Sequence, residues 1–114
     1  MGYEVKRQHR DLASGRWEKL SLCEQMANIG SEVSRAIRWR ERDPKLFTGA
    51  IDRALELIDL TLADPRWRGR RKEICRVREI LCAIVLGDDS YATTLEDLDR
   101  YFTQFAIAAR NKTA

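Results

Sequence analysis

The stretch Trp17–Arg40, WEKLSLCEQMANIGSEVSRAIRWR, decides how this chain is read. Its apolar positions Leu22, Met26, Ile29, Val33 and Ile37 recur at intervals of four, three, four and four. Cys23, Gly30 and Ala36 flank that stripe, and Glu24, Asn28, Ser31, Glu32, Arg35 and Arg38 fall on the opposite side of a helical wheel. No proline interrupts the run. The spacing predicts one long amphipathic helix, from about Arg16 to Glu41, that must lay its stripe on other helices.

Working outward, Asp43-Pro44 supplies the next start signal. An aspartate caps the free N–H groups, and a proline at the first helical position gives up a hydrogen bond that would not be made anyway. The second helix then covers roughly Pro44 to Ala63. Its stripe is Phe47, Ile51, Ala54, Ile58 and Leu62, widened by Ala50 and Leu55, with Asp52, Arg53, Glu56 and Asp59 expected to face out. Asp64-Pro65 repeats the device and opens a third helix ending near Leu86, on Ile74, Val77, Leu81 and Val85 with Cys82 and Ile84 beside them. Gly87 suits the left-handed position after a helix. Thr93-Thr94-Leu95-Glu96-Asp97 contains a capping box in either register. The fourth helix runs to about Arg110 on Leu95, Leu98, Phe102, Phe105 and Ala109, with Tyr101 alongside.

Nothing alternates with period two, so no strands are expected. Four helices with short links favour antiparallel neighbours: an all-α, up-down-up-down four-helix bundle. Each stripe alone is marginal in water and becomes stable by burial against the others. The bundle is assigned to residues 16–114 and a flexible leader to residues 1–15, where charge shows little periodicity.

A chain of 114 residues fits one domain with a modest core. No apolar run approaches the ~20 residues of a membrane span, and the basic start (Lys6, Arg7, Arg10) has no apolar segment behind it, so a cytoplasmic protein is expected. The three cysteines, Cys23, Cys75 and Cys82, form no C-x-x-C pair and read as small reduced core residues. The one histidine, His9, lies in the leader, so neither a metal nor another cofactor is expected. Phosphate-binding glycine loops, zinc-protease and serine-hydrolase motifs are missing, and catalysis is not expected.

The net charge is +3, and arginine, the residue suited to bidentate contact with carboxylate or phosphate, far outnumbers lysine. An up-down bundle sorts these charges by end. One pole collects Arg16, Lys19, Arg66, Arg68, Arg70, Arg71, Lys72, Arg110 and Lys112. The other collects Asp43, Asp88, Asp89, Glu96, Asp97 and Asp99, alongside Arg40 and Arg42. The densest local feature is Arg66-Trp67-Arg68-Gly69-Arg70-Arg71-Lys72. Cations at a helix start oppose the macrodipole by about 0.3–1 kcal/mol each, and a tryptophan among arginines can stack on a base. Arg66, Trp67, Arg68, Arg70, Arg71 and Lys72 are therefore the candidate nucleic-acid or phosphate contacts. The competing reading is a solvated basic turn, with Trp67 covering the bundle's end and the arginines paired to Asp59, Asp64, Glu73 and Glu79. Trp39, Leu60 and Tyr101 are the candidates for a self-association face.

The segments LSLCEQMANIGSEVSRAIRW (20–39), ALELIDLTLADPRWRGRRKEICRVREIL (54–81) and YFTQFAIAAR (101–110) resemble a small prokaryotic all-helical family, the HEPN-like companions of minimal nucleotidyltransferases. That resemblance implies a four- or five-helix bundle, usually a homodimer, acting near RNA or nucleotides. It also implies an arginine followed four to six residues later by histidine in the ribonuclease members. Arg100 and Arg110 are followed by no histidine, so a partner-binding role, with a nucleotidyltransferase or a second copy, is what the resemblance leaves.

Overall fold

The computed structural model describes residues 15–113. It is all-α: α1 (Leu22–Trp39), α2 (Pro44–Ala63), α3 (Arg71–Val85) and α4 (Leu95–Thr113), with 3-10 turns at Trp17–Lys19 and Pro65–Arg70. The leader expected over residues 1–15 lies outside the described residues except for Gly15.

Cross-helix pairs fix the topology. Ser34 with Asp99 and Arg40 with Glu96 run α1 against α4 in opposite directions. Glu32 with Arg53 does the same for α1 and α2, and Asp59 with Arg78 for α2 and α3. Tyr101 with Glu73 ties α4 to α3. These pairings make the up-down-up-down bundle. Its first pole holds the start of α1, the α2–α3 link and the end of α4. Its second pole holds the α1–α2 link and the loop 86–94.

The core follows the stripes. Ile29, Val33, Ile51, Ala54, Leu55 and Leu81 are fully withdrawn from water, and Met26, Ile58, Ile74, Leu95 and Phe102 nearly so. Each large apolar side chain buried this way contributes about 1.5–3 kcal/mol. Phe47, Leu62, Ile84, Val85 and Phe105 pack half-buried against that interior. α1 and α4 approach closely at Gly30, where a Cβ would stand 2.6 Å from Phe102 Cβ.

Local signals hold in most places. Asp43 Oδ1 accepts from the N–H groups of Lys45 and Leu46 (3.0 and 3.2 Å), and Pro44 begins α2. Gly87 takes φ +79° after α3. Thr94 and Asp97 exchange the two bonds of a capping box (2.9 and 3.1 Å).

Four features differ from the sequence reading. The first helix starts at Leu22, not near Arg16. Ser21 and Glu24 form a capping box (Glu24 N–H to Ser21 Oγ 3.1 Å, Ser21 N–H to Glu24 Oε1 2.8 Å) that turns Leu20 into extended backbone. Second, Asp64-Pro65 opens a 3-10 turn, and α3 begins only at Arg71. Third, Glu32, Asp52 and Glu56, expected outside, are buried. Glu32 is covered where it accepts from Arg35 and Arg53 (3.0 and 3.1 Å) at the α1–α2 contact. Fourth, Cys75 is exposed on α3 while Cys82 is buried and Cys23 lies between the two.

Candidate functional site

At the first pole, α2 ends at Thr61–Ala63 and the chain turns on Asp64. The Asp64 side chain is 1% exposed. Its Oδ1 accepts from the Arg66 backbone N–H (3.0 Å) and from Arg66 Nε (3.1 Å), and its Oδ2 accepts from Arg66 Nη2 (2.7 Å) and Gln25 Nε2 (3.1 Å). The hydrogen bond from Arg66 is the main reason the Asp64 carboxyl is held down at about 2. Gln25, fully buried on α1, also donates to the Trp17 carbonyl (2.9 Å) and accepts from Trp67 Nε1 (3.0 Å). Trp17 Nε1 donates to Thr61 Oγ1 (3.1 Å), and that hydroxyl donates to the Leu57 carbonyl (3.1 Å). Arg66 lies 4.5 Å over the Trp67 ring and donates to the Leu20 carbonyl (2.7 Å). One glutamine thus joins the chain entry, the end of α2 and the 3-10 turn. A network so fully satisfied at low local dielectric is rigid.

That geometry divides the six residues of the basic run. The Arg66 guanidinium faces Asp64, and the Trp67 N–H is spent on Gln25. Arg70 pairs with Glu73 (2.9 Å) and Arg71 Nε donates to the Leu62 carbonyl (3.2 Å). Arg68 and Lys72 are exposed, and their side chains make no hydrogen bond or ion pair among the described residues. An incoming phosphate would meet those two cations first, with the outward N–H groups of Arg70 and Arg71 beside them.

The three residues singled out for self-association sit on three helices. Trp39 is half-buried at the end of α1, at the second pole. Leu60 packs half-buried against the core. Tyr101 is edge-on to Phe102 and Phe105 (ring centroids 5.2 and 5.4 Å), and burial, then its hydrogen bond to Glu73, pushes its hydroxyl well above the usual range. The same bond holds the Glu73 carboxyl below its ordinary value.

Exposed apolar surface gathers elsewhere. Among the described residues the exposed large hydrophobics are Leu46 (44%), Leu86 (64%), Tyr91 (38%) and Ile107 (45%). The first three belong to the second pole. Leu46 lies off the stripe of α2, Leu86 comes after the last turn of α3, and Tyr91 sits in the polar loop, so periodicity passes over all three. The signal that finds them is an apolar side chain where the wheel or the loop asks for a polar one. A cleft of about 310 Å³ opens at the same pole, lined by Arg40, Ile84, Asp88, Thr94 and Glu96. A smaller one, about 110 Å³, lies between α1 and α4 along Ala27, Gly30, Ser31 and Ala106.

Among the described residues no group of three or more histidine, cysteine or acidic side chains is placed to hold a metal ion, and no helix is long and apolar enough to cross a membrane. No protein-family model, no curated protein and no solved structure matches this chain.

Proposed function

We propose that this protein is a non-catalytic helical interaction module, pairing with a second copy of itself or with a protein partner such as a nucleotidyltransferase. Contact is made at the second pole. The observation that supports this reading is that Leu46, Leu86 and Tyr91, three of the four exposed large hydrophobics among the described residues, all belong to the second pole, where a cleft also opens. Clustered exposed apolar side chains rimmed by charge are what association surfaces present, whereas single ones are ordinary. The acidic Asp88 and Asp89 and the paired Arg40 and Glu96 line the cleft at the same pole and supply the charge.

Light scattering over a wide concentration range tests it. The expected result is concentration-dependent dimerisation that changes little with salt, weakened at least tenfold by Leu86→Glu with the melting temperature unchanged. A chain that stays monomeric throughout, and that a co-expressed nucleotidyltransferase encoded beside it does not retain, overturns the reading.

A second reading, nucleic-acid or phosphate binding through the basic turn, is favoured by the unpaired Arg68 and Lys72. It predicts affinity for RNA or DNA that falls steeply with salt and falls at least tenfold in Arg68→Glu/Lys72→Glu. Affinity insensitive to both changes removes it.

A further inference from the structure

Asp52 and Glu56 stand one turn apart on α2, and they are only 6% and 3% exposed. Around the α2 axis, Arg53 marks the flank turned to α1, through Glu32, and Asp59 marks the flank turned to α3, through Arg78. With 3.6 residues per turn, Asp52 and Glu56 fall between those flanks on the side away from Ala54 and Ile58. A carboxylate such as Asp52, withdrawn from water on the side of a helix opposite its core, demands a compensating charge. Asp52 Oδ1 accepts no hydrogen bond among the described residues. Such an oxygen, on a side chain more than nine-tenths buried, calls for a cationic donor.

We propose that this face of α2 is a docking site for a cationic side chain of the chain's own residues 1–14, drawn from the run Lys6-Arg7-Gln8-His9-Arg10. Charge, tether and reach select that source. Lys6, Arg7 and Arg10 are three positive charges close together in that run. The chain enters the described fold beside α2, because Trp17 Nε1 is bonded to Thr61 Oγ1. From Thr61, Glu56 lies about 7.5 Å back along the helix and Asp52 about 13.5 Å. Gly15 and Arg16 already lie in a helical turn, and the segment from Gly15 to Arg10 can span about 16–18 Å when extended, to which the arginine side chain adds its own length. Arg10 and Arg7 therefore reach both carboxylates, and a tethered partner acts at high effective concentration. The proposal stands independently of the association surface at the second pole.

Limited trypsin digestion of the full chain, with cleavage after Arg7 and Arg10 followed by mass spectrometry, tests it. Cleavage there is expected to be at least tenfold slower than in a synthetic peptide of residues 1–16. Asp52→Asn/Glu56→Gln is expected to bring the rate to within about twofold of the peptide's. Equal rates in the unaltered chain and the peptide overturn the proposal, and so does protection that survives the double substitution. Protection that grows with protein concentration also overturns it, since it assigns the contact to another copy. If the double variant does not fold, Lys6→Gln/Arg7→Gln/Arg10→Gln replaces it. A melting temperature lowered by several degrees in that variant supports the proposal, and an unchanged one refutes it.

Discussion

Asp-Pro occurs twice in this chain, at 43–44 and 64–65, and the two copies do different work. At the second pole Asp43 is a local cap: one carboxylate oxygen takes the N–H groups of Lys45 and Leu46, and an α-helix of twenty residues begins there. At the first pole Asp64 also takes an N–H two residues on, but its second oxygen meets Gln25 from α1 and the Arg66 guanidinium. From Asp64 the backbone continues as a six-residue 3-10 turn with Trp67 out of helical geometry (φ −104°, ψ 24°). The dipeptide specifies that a new element starts. The neighbours of the second oxygen decide whether the aspartate is a cap or a strut between α1, α2 and the turn.

Substituting both aspartates breaks that comparison open. Asp64→Ala is expected to cost the most, about 3 kcal/mol. It leaves Arg66, Gln25 and a backbone N–H without their acceptor at a site where Asp64 itself is 2% exposed. The figure sits at the lower end for a broken buried pair because the Arg66 side chain is 40% exposed. Urea unfolding followed by tryptophan fluorescence measures it, since Trp17 and Trp67 both belong to this network. A loss no larger than that of Asp43→Ala would show that the tertiary bonds contribute nothing beyond the cap.

Acid sharpens the contrast. The carboxyl of Asp64 is lowered from 3.8 to about 2 in the folded protein, first by the hydrogen bond from Arg66. Its folded-state pKa is thus below its unfolded value. Its contribution is fully present above about pH 4 and is lost as the pH falls toward 2. Stability is expected to drop through that window in the unaltered protein, and Asp64→Asn is expected to flatten the drop. What remains of the slope belongs to Glu24, Glu73, Asp88, Glu96 and Asp97, whose carboxyls are also lowered by hydrogen bonds. Denaturant midpoints measured from pH 5 to 2 decide it. An unchanged slope in the variant would mean that the Asp64–Arg66 pair is screened by solvent.

Residues whose partners lie within one helical turn were legible in the sequence. Asp43, Gly87 and the Thr94–Asp97 pair are of this kind, and so are the four stripes that make the bundle. Ser21 and Glu24 were equally local but were passed over, because no proline or glycine between Arg16 and Ser21 marks the break in the helix. Partners far along the chain were not legible. Gln25 looks like one more polar residue until Asp64 and Trp67, 39 and 42 positions away, arrive on it. For the same reason composition marks the run Arg66–Lys72 as one basic patch. Tertiary structure divides it into two residues of a buried network, Arg70 paired with Glu73 one turn on, Arg71 bonded back to the Leu62 carbonyl of α2, and the exposed Arg68 and Lys72. Asp52 and Glu56 show the limit of the wheel, which reports the side a residue occupies and not what covers that side.

The smallest effect belongs to the other Asp-Pro, and its size is what gives the comparison meaning. Asp43→Ala removes an acceptor from two N–H groups at a partly solvated helix start and is expected to cost about 1 kcal/mol. Asparagine caps a helix about as well as aspartate, so Asp43→Asn should fall within a few tenths of a kcal/mol of the unaltered protein. Asp64→Asn has no such latitude. It keeps an oxygen for the Arg66 N–H but takes away the charge opposite Arg66, and its new NH2 must find an acceptor where Gln25 and Arg66 both present donors. The same conservative change should therefore be silent at one junction and damaging at the other. Equal effects at 43 and 64 would show that both aspartates act only as caps.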